Sequence, residues 1–160
     1  MKQIVCLSSE PWQAAPTRTQ HLMTRLRDAE ILFFEPPGAG NSRECRRVRP
    51  GLTVYSLPPI LEVDEKYSYL FRRGLRRLTR FLEDKLERHR FHDILLWTTG
   101  PKQVHLADAI PYRGLVYDCD REWQGFPVRW ESDLAIEADV VFAASPMLVD
   151  RLAPCNDNIA

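Results

Sequence analysis

Glycine is scarce in this chain, 7 of 160 residues, and it is missing where phosphate chemistry would need it. After the first apolar run there is neither G-x-G-x-x-G nor G-x-x-x-x-G-K-[ST]. A pyrophosphate therefore cannot approach the backbone in the dinucleotide or P-loop manner, which disfavours NAD binding and ATP hydrolysis. Charge of one sign is absent too. With 22 basic and 22 acidic residues, no global field selects nucleic acid as a partner. No apolar run approaches the roughly 18 residues of a membrane span, and Met1–Leu7 is too short for a signal peptide. The four cysteines (Cys6, Cys45, Cys119, Cys155) lack C-x-x-C spacing, so reduced thiols in the cytoplasm are expected, without disulfides or zinc. His21, His89, His92 and His105 show no ligand spacing, and all but His21 read as surface or helix-end residues. Ser145 has no G-x-S-x-G elbow around it, so a Ser-His-Asp triad is unsupported. There is no internal repeat.

What is present is a succession of short apolar runs of β-forming residues, separated by amphipathic stretches. Strands are expected at Ile4–Ser8, Glu30–Glu35, Leu52–Leu57, Ile94–Trp97, Leu115–Tyr117 and Val140–Ala144. Leu22, Met23 and Leu26 make a helix after Thr17, whose hydroxyl caps it. Gly38–Pro50, polar and arginine-rich, is expected as a loop. Glu65–Arg90 carries apolar residues at helical spacing and is the longest helix. Lys102–Ala109 is a short one. Helix between apolar strands implies parallel pairing. The expected fold is α/β: a doubly wound, mostly parallel sheet of about six strands, order 3-2-1-4-5-6, with helices on both faces.

In such sheets the binding crevice lies beyond the carboxyl ends of the strands. Gly114–Leu152 supplies most of the polar groups expected there. Its first strand ends in Asp118-Cys119-Asp120, and its second in Ser145-Pro146, a serine cap with proline at the first helical position. The preceding strand ends in Thr98-Thr99-Gly100-Pro101.

The turn Tyr117-Asp118-x-Asp120-x-x-Trp123, a glutamate at Glu131, the run Ala138-Asp139-Val140-Val141-Phe142-Ala143-x-Ser145, and a helix with Leu148 and Leu152 resemble the N-terminal half of family 4-type glycosyltransferases. Those of bacterial exopolysaccharide and teichuronic-acid-like synthesis are the most alike. The resemblance implies a Rossmann-like domain of a two-domain GT-B enzyme. On that reading, residues 1–153 are the acceptor-side domain, and 154–160 begin the linker to an absent C-terminal domain. The family holds its nucleotide-sugar with a Glu-x7-Glu pair in that second half. No two glutamates here have the spacing. The implied activity is retaining transfer of a sugar from a nucleotide-sugar to a polysaccharide or lipid-linked acceptor, without metal or other cofactor. The fragment alone is expected to be inactive. The alternative is a free-standing, non-catalytic Rossmann-like binding or regulatory module.

Each candidate residue has a bland reading beside the functional one. Many relatives have a Gly-rich first loop, whereas this chain has Glu10–Arg18, with Trp, Pro and Arg. Trp12 suits stacking on a sugar face and Arg18 a bidentate phosphate clamp. Otherwise Trp12 packs and Arg18 is a surface charge. Thr99 and Gly100 suit an oxygen-rich ligand at a helix start, or simply cap it. Asp118-x-Asp120 admits a metal dyad, a carboxylate facing the acceptor hydroxyl, or a turn cap. Relatives often carry His-Asp after this strand, and Cys119-Asp120 stands there instead. Asp120 is the preferred catalytic residue, Asp118 a substrate contact or cap, and Ser145 a helix cap before a ligand contact. Arg72, Arg73, Arg76, Arg77 and Arg80 line one long helix. They are either a solvated face or a contact with the anionic inner leaflet of the cell membrane, worth roughly 1 kcal/mol per residue near such a surface.

Overall fold

The computed structural model describes residues 1–13, 15–37 and 45–160. Seven strands form one sheet: β1 (Lys2–Leu7), β2 (Ala29–Glu35), β3 (Cys45–Arg49), β4 (Leu52–Ser56), β5 (Ile94–Thr98), β6 (Gly114–Cys119) and β7 (Val140–Ala143). Their order is β3-β4-β2-β1-β5-β6-β7. Every pairing is parallel except β3 with β4. Without β3 the order is the 3-2-1-4-5-6 expected from the apolar runs.

The seventh strand corrects one expectation. Cys45–Arg49 was expected in a loop, but pairs antiparallel with β4 at the sheet edge. The chain reverses at Pro50-Gly51, where Gly51 has φ +82°, a conformation glycine adopts at no steric cost. Gly38–Glu44, the rest of the expected loop, lie outside the described residues.

Alternation along the strands sorts the core onto two faces. Val5, Leu7, Leu32 and Phe34 point to one side and Ile4, Cys6, Ile31 and Phe33 to the other. The first face is covered by α2 (Ser68–Arg88), α3 (Val104–Ala107), α4 (Val128–Glu137) and α5 (Pro146–Leu152). The second is covered by α1 (Arg18–Arg25) through Met23. Thr17 caps α1 and Ser145 caps α5, as their residue types predict. The short helix expected at Lys102–Ala109 is a 3-10 turn, Pro101–Gln103, running into α3.

Two connections position the site. Residues 57–67, between β4 and α2, have no regular structure and lie as a strap along α2. Ile60 packs so close to Gly74 that a Cβ there would stand 3.3 Å from Ile60 Cδ1. Lys102 Nζ reaches Glu62 at 2.8 Å and Trp130 Nε1 donates to Glu65 at 2.9 Å, fixing the strap at its far side. At the other end of the chain, residues 158–160 run beside β7. Val141 N donates to Asn158 O at 3.0 Å, and Ala143 N to Ala160 O at 2.9 Å. The stretch expected as a linker thus makes backbone hydrogen bonds to the sheet.

No described helix is long and apolar enough to cross a membrane.

Candidate functional site

The carboxyl ends of β1, β5 and β6 meet at one edge of the sheet, and hydrogen bonds tie them together. Thr99, just past β5, accepts from Ser9 N at 2.8 Å, shares a bond with Ser9 Oγ at 2.9 Å, and donates to Leu7 O at 3.3 Å. Thr99 is therefore buried in the joint between β1 and β5. The backbone N–H groups of Thr99 and Gly100, expected to face an anion, donate instead to Gln103 Oε1 at 2.7 and 3.2 Å. Gly100 is required by close approach, since a Cβ there would collide with Ser9 Oγ and stand 3.3 Å from the Trp123 ring. Its backbone is extended, so space and not φ demands glycine.

The acidic end of β6, where the strand runs two residues beyond the expected Tyr117, and the turn after it are held by two arginines. Asp118, 1% exposed, is paired with the half-exposed Arg18 of α1, and Trp97 Nε1 lies 3.4 Å from its other oxygen. Burial raises the Asp118 carboxyl above its ordinary value, opposed by hydrogen bonding and attraction from Arg18. Asp120 accepts from Arg121 Nε at 3.0 Å and from Arg121 Nη2 at 3.1 Å. Arg121 also pairs with Glu10 in the first loop and lies 5.1 Å over the Trp123 ring. Its proton is held more tightly than usual, chiefly by the Asp120 hydrogen bonds and then by Glu10. Among the described residues the partners of both aspartates are side chains, and no turn N–H donates to either. Both are arginine-paired, so a divalent ion at this pair would have to displace the guanidinium groups. Among the described residues no three His, Cys, Asp or Glu side chains group as metal ligands.

Elsewhere the expected residues take quieter positions. Trp12 packs edge-on against Phe33, ring centroids 5.0 Å apart, and its backbone N–H donates to Glu35 Oε2 at 2.7 Å. Ser145 Oγ accepts from Leu148 N at 3.4 Å, a long capping bond. Arg72, Arg73, Arg76, Arg77 and Arg80 are all exposed. Among the described residues none of them enters an ion pair. Four of them (Arg73, Arg76, Arg77, Arg80) line an open groove of about 550 Å³ with Leu61, Tyr69 and Leu70.

Sequence reasoning missed two features. One is a buried charge cluster behind the site, where Glu131 accepts from Tyr117 Oη at 2.7 Å and pairs with Arg151. The other is a cavity of about 230 Å³ under the strap, lined by Trp123, Phe126 and His105 among others. His105, expected at the surface or a helix end, lies in the last turn of the short α3. It is half-buried, edge-on to Phe71 at 5.0 Å and to Trp130 at 4.7 Å, and burial lowers its basicity. Its place one turn from the Thr99-Gly100 joint was the available signal.

The fold has solved counterparts. Sucrose-phosphate synthase from Thermosynechococcus elongatus superposes over 100% of this chain with TM-score 0.68 at 12% identity, covering 47% of that protein. The shared fold is the α/β, Rossmann-like, mostly parallel sheet, and the neighbours that share it are GT-B glycosyltransferases. An E. coli trehalose-6-phosphate protein bound with UDP-2-fluoro glucose matches over 96% of this chain and 42% of its own, with TM-score 0.59 and 13% identity. An α,α-trehalose 6-phosphate synthase from Burkholderia multivorans matches over 95% and 41%, with TM-score 0.55 and 12% identity. The chain thus spans less than half of each of these GT-B proteins. No family model matches the sequence, and neither does any curated protein.

Proposed function

We propose that this chain is the N-terminal, acceptor-side domain of a retaining GT-B glycosyltransferase. The enzyme transfers a sugar from a nucleotide-sugar to a polysaccharide or lipid-linked acceptor. The observation that carries the reading is the match of the whole chain to 47% of a sucrose-phosphate synthase with TM-score 0.68. The acidic turn after β6 then faces the cleft. In the transfer, the acceptor oxygen bonds to the anomeric carbon as the bond from that carbon to the nucleoside diphosphate breaks, and the diphosphate leaves with the electron pair and takes up the hydroxyl proton. Asp120 is the residue that meets the acceptor hydroxyl. Both of its oxygens already accept from Arg121, so it acts as a positioned negative charge more than as a strong base. Arg18 and Asp118 hold the first loop against β6, and Thr99, Gly100 and Ser145 shape the strand ends around the acceptor. No metal is required on this reading. The exposed arginines of α2 rest against the anionic inner leaflet, which keeps a lipid-linked acceptor within reach.

The test is donor dependence. The 160-residue chain should neither transfer sugar nor bind UDP-sugars, GDP-sugars or ADP-sugars more tightly than millimolar. The same domain joined to a nucleotide-sugar domain should do both. A micromolar calorimetric isotherm with the chain alone would overturn the half-enzyme account.

A further inference from the structure

The cavity under the strap has two chemically different ends. Its polar lining residues Ser8, Ser9, Lys102 and Gln103 come from the loops after β1 and β5, at the carboxyl edge of the sheet. Its other walls are mostly hydrocarbon, from Leu57, Ile60 and Val63 of the strap, Phe71 and Leu75 of α2, and the rings of Trp123 and Phe126, with Glu62 and His105 as the polar exceptions. A free sugar, with a hydroxyl on nearly every carbon, would leave those hydroxyls unpaired against such walls, at a cost of roughly 1–3 kcal/mol each. Size narrows the occupant further. The volume of about 230 Å³ exceeds the roughly 150 Å³ of an apolar cavity that takes up benzene, and falls below the roughly 300–1,000 Å³ of sites for whole drug-sized ligands. The space fits one apolar group, and not a whole ligand.

Among the described residues, two of the lining side chains keep a buried nitrogen with no hydrogen-bond partner, Trp123 Nε1 and His105 Nε2. Such orphans are uncommon in folded proteins and mark a place where a partner is missing. Trp123 Nε1 can only donate, so the missing partner there is an acceptor such as an ether, ester or hydroxyl oxygen. Trp123 also carries Arg121 over its ring and touches the space above Gly100, which links the cavity to the Asp120 turn.

We propose that this cavity seats an apolar group borne by the sugar acceptor, a single aryl ring or a short hydrocarbon segment with an oxygen at its attachment point. Its hydrocarbon lies between the strap and α2, and its oxygen-bearing end points to Ser9 and the strand edge. The proposal rests on the glycosyltransferase reading and specifies its acceptor. A hydrophilic polysaccharide end without an aglycone would leave the cavity empty, whereas an amphiphilic acceptor fills it.

Octyl β-glucoside below its micellar concentration and methyl β-glucoside carry the same sugar with and without the apolar group. Titrated into the chain and followed by tryptophan fluorescence and amide NMR shifts, the octyl compound should bind saturably and the methyl compound should not. Ile60→Gln and Phe126→Gln should each weaken octyl binding by roughly tenfold. Leu61→Glu, at an exposed rim position, should weaken it with the melting temperature unchanged. Equal binding of the two glucosides, or octyl binding indifferent to all three substitutions, overturns the proposal. In the two-domain enzyme, transfer to both glucosides with equal KM would keep the glycosyltransferase and remove the cavity from its acceptor site. Saturable octyl binding with no transfer from any nucleotide-sugar would keep the ligand class and remove the acceptor role.

Discussion

Arg18, in the first turn of α1, is paired with Asp118 at the end of β6, 100 residues further along the chain. The two partners are unequally placed: Asp118 is buried and Arg18 is half-exposed. Removing the arginine strands a carboxylate in the interior. Removing the carboxylate leaves an arginine that can turn to water. Arg18→Met should therefore cost more stability than Asp118→Asn, roughly 3 kcal/mol at neutral pH, the lower end of the range for breaking a buried pair. Burial already raises the Asp118 carboxyl in the folded protein, and losing Arg18 raises it further. A raised carboxyl gives stability that is present at low pH and lost as pH rises through the folded value. The gap between the two variants should then narrow on acidification. Urea midpoints at two pH values measure it, and equal costs at both would mean the pair is not coupled.

Gly100→Ala introduces a Cβ against Ser9 Oγ and the Trp123 ring. Ser9 cannot rotate away without giving up its bonds to Thr99 and Gln103. The substitution should cost roughly 1–3 kcal/mol, the usual range for overpacking. Combined with Ser9→Ala, part of that cost should return. Two costs that simply add in thermal melts would show that the collision is elsewhere.

Much of the sheet could be read from the sequence because its central strands are nearly continuous apolar runs. Leu32-Phe33-Phe34 and Leu115-Val116-Tyr117 are buried on both faces, so hydrophobicity alone marks them. Cys45–Arg49 escaped because an exposed edge strand has no apolar face to show. The Pro50-Gly51 turn was its only signal. The site was less legible than the fold. Asp118, Asp120, Thr99 and Gly100 were singled out by their place after strands, which topology dictates. Their partners were hidden, because Arg18 with Asp118 and Glu10 with Arg121 join loops about a hundred residues apart. The cavity was invisible for the same reason. Its walls come from residues scattered between Ser8 and Phe126, and each reads singly as core.

His105 and His89 are both less basic than usual in the folded chain, chiefly through burial. Lys102 adds to this for His105 against Asp108 and Asp133. In the unfolded chain a histidine takes its proton near the ordinary value of 6.5. The unfolded state then binds more protons than the native state as pH falls below that value, so stability should decline there. His105→Gln should flatten part of the decline between about pH 7 and pH 5.5, above the ordinary carboxylate range. An unchanged slope in that variant would assign the decline to other groups.

The arginine face of α2 should bind vesicles containing anionic lipid at low salt. It should release them as the Debye length shrinks toward about 8 Å at physiological ionic strength. Tyr69 and Leu70 are exposed beside these arginines and would anchor at the interface. Replacing Arg73, Arg76, Arg77 and Arg80 with glutamine should abolish sedimentation with anionic vesicles and leave the fold intact, since all four are solvent-facing. Equal sedimentation with neutral and anionic vesicles would leave the row as a solvated face.

Asp120 gives the sharpest test of the proposed activity, in the enzyme that carries both domains. Asp120→Asn keeps the size of the side chain and removes its charge. If that charge meets the acceptor hydroxyl as bond formation proceeds, the loss should fall on turnover more than on KM. A roughly 10²–10⁴-fold drop is the usual scale for such help. Arg121→Met separates this role from a structural one. It frees both Asp120 oxygens and also breaks the link to Glu10, so with a purely structural Asp120 it should cost at least as much stability and activity as Asp120→Asn. On the proposed role they diverge: Arg121→Met loosens the first loop but leaves the carboxylate, and keeps more turnover than Asp120→Asn. EDTA should leave the activity of the unsubstituted enzyme unchanged, because each aspartate is already balanced by an arginine. Activity lost with EDTA and restored by manganese would mean that the arginines yield to a metal. Full activity in Asp120→Asn would move the chemistry off this turn altogether.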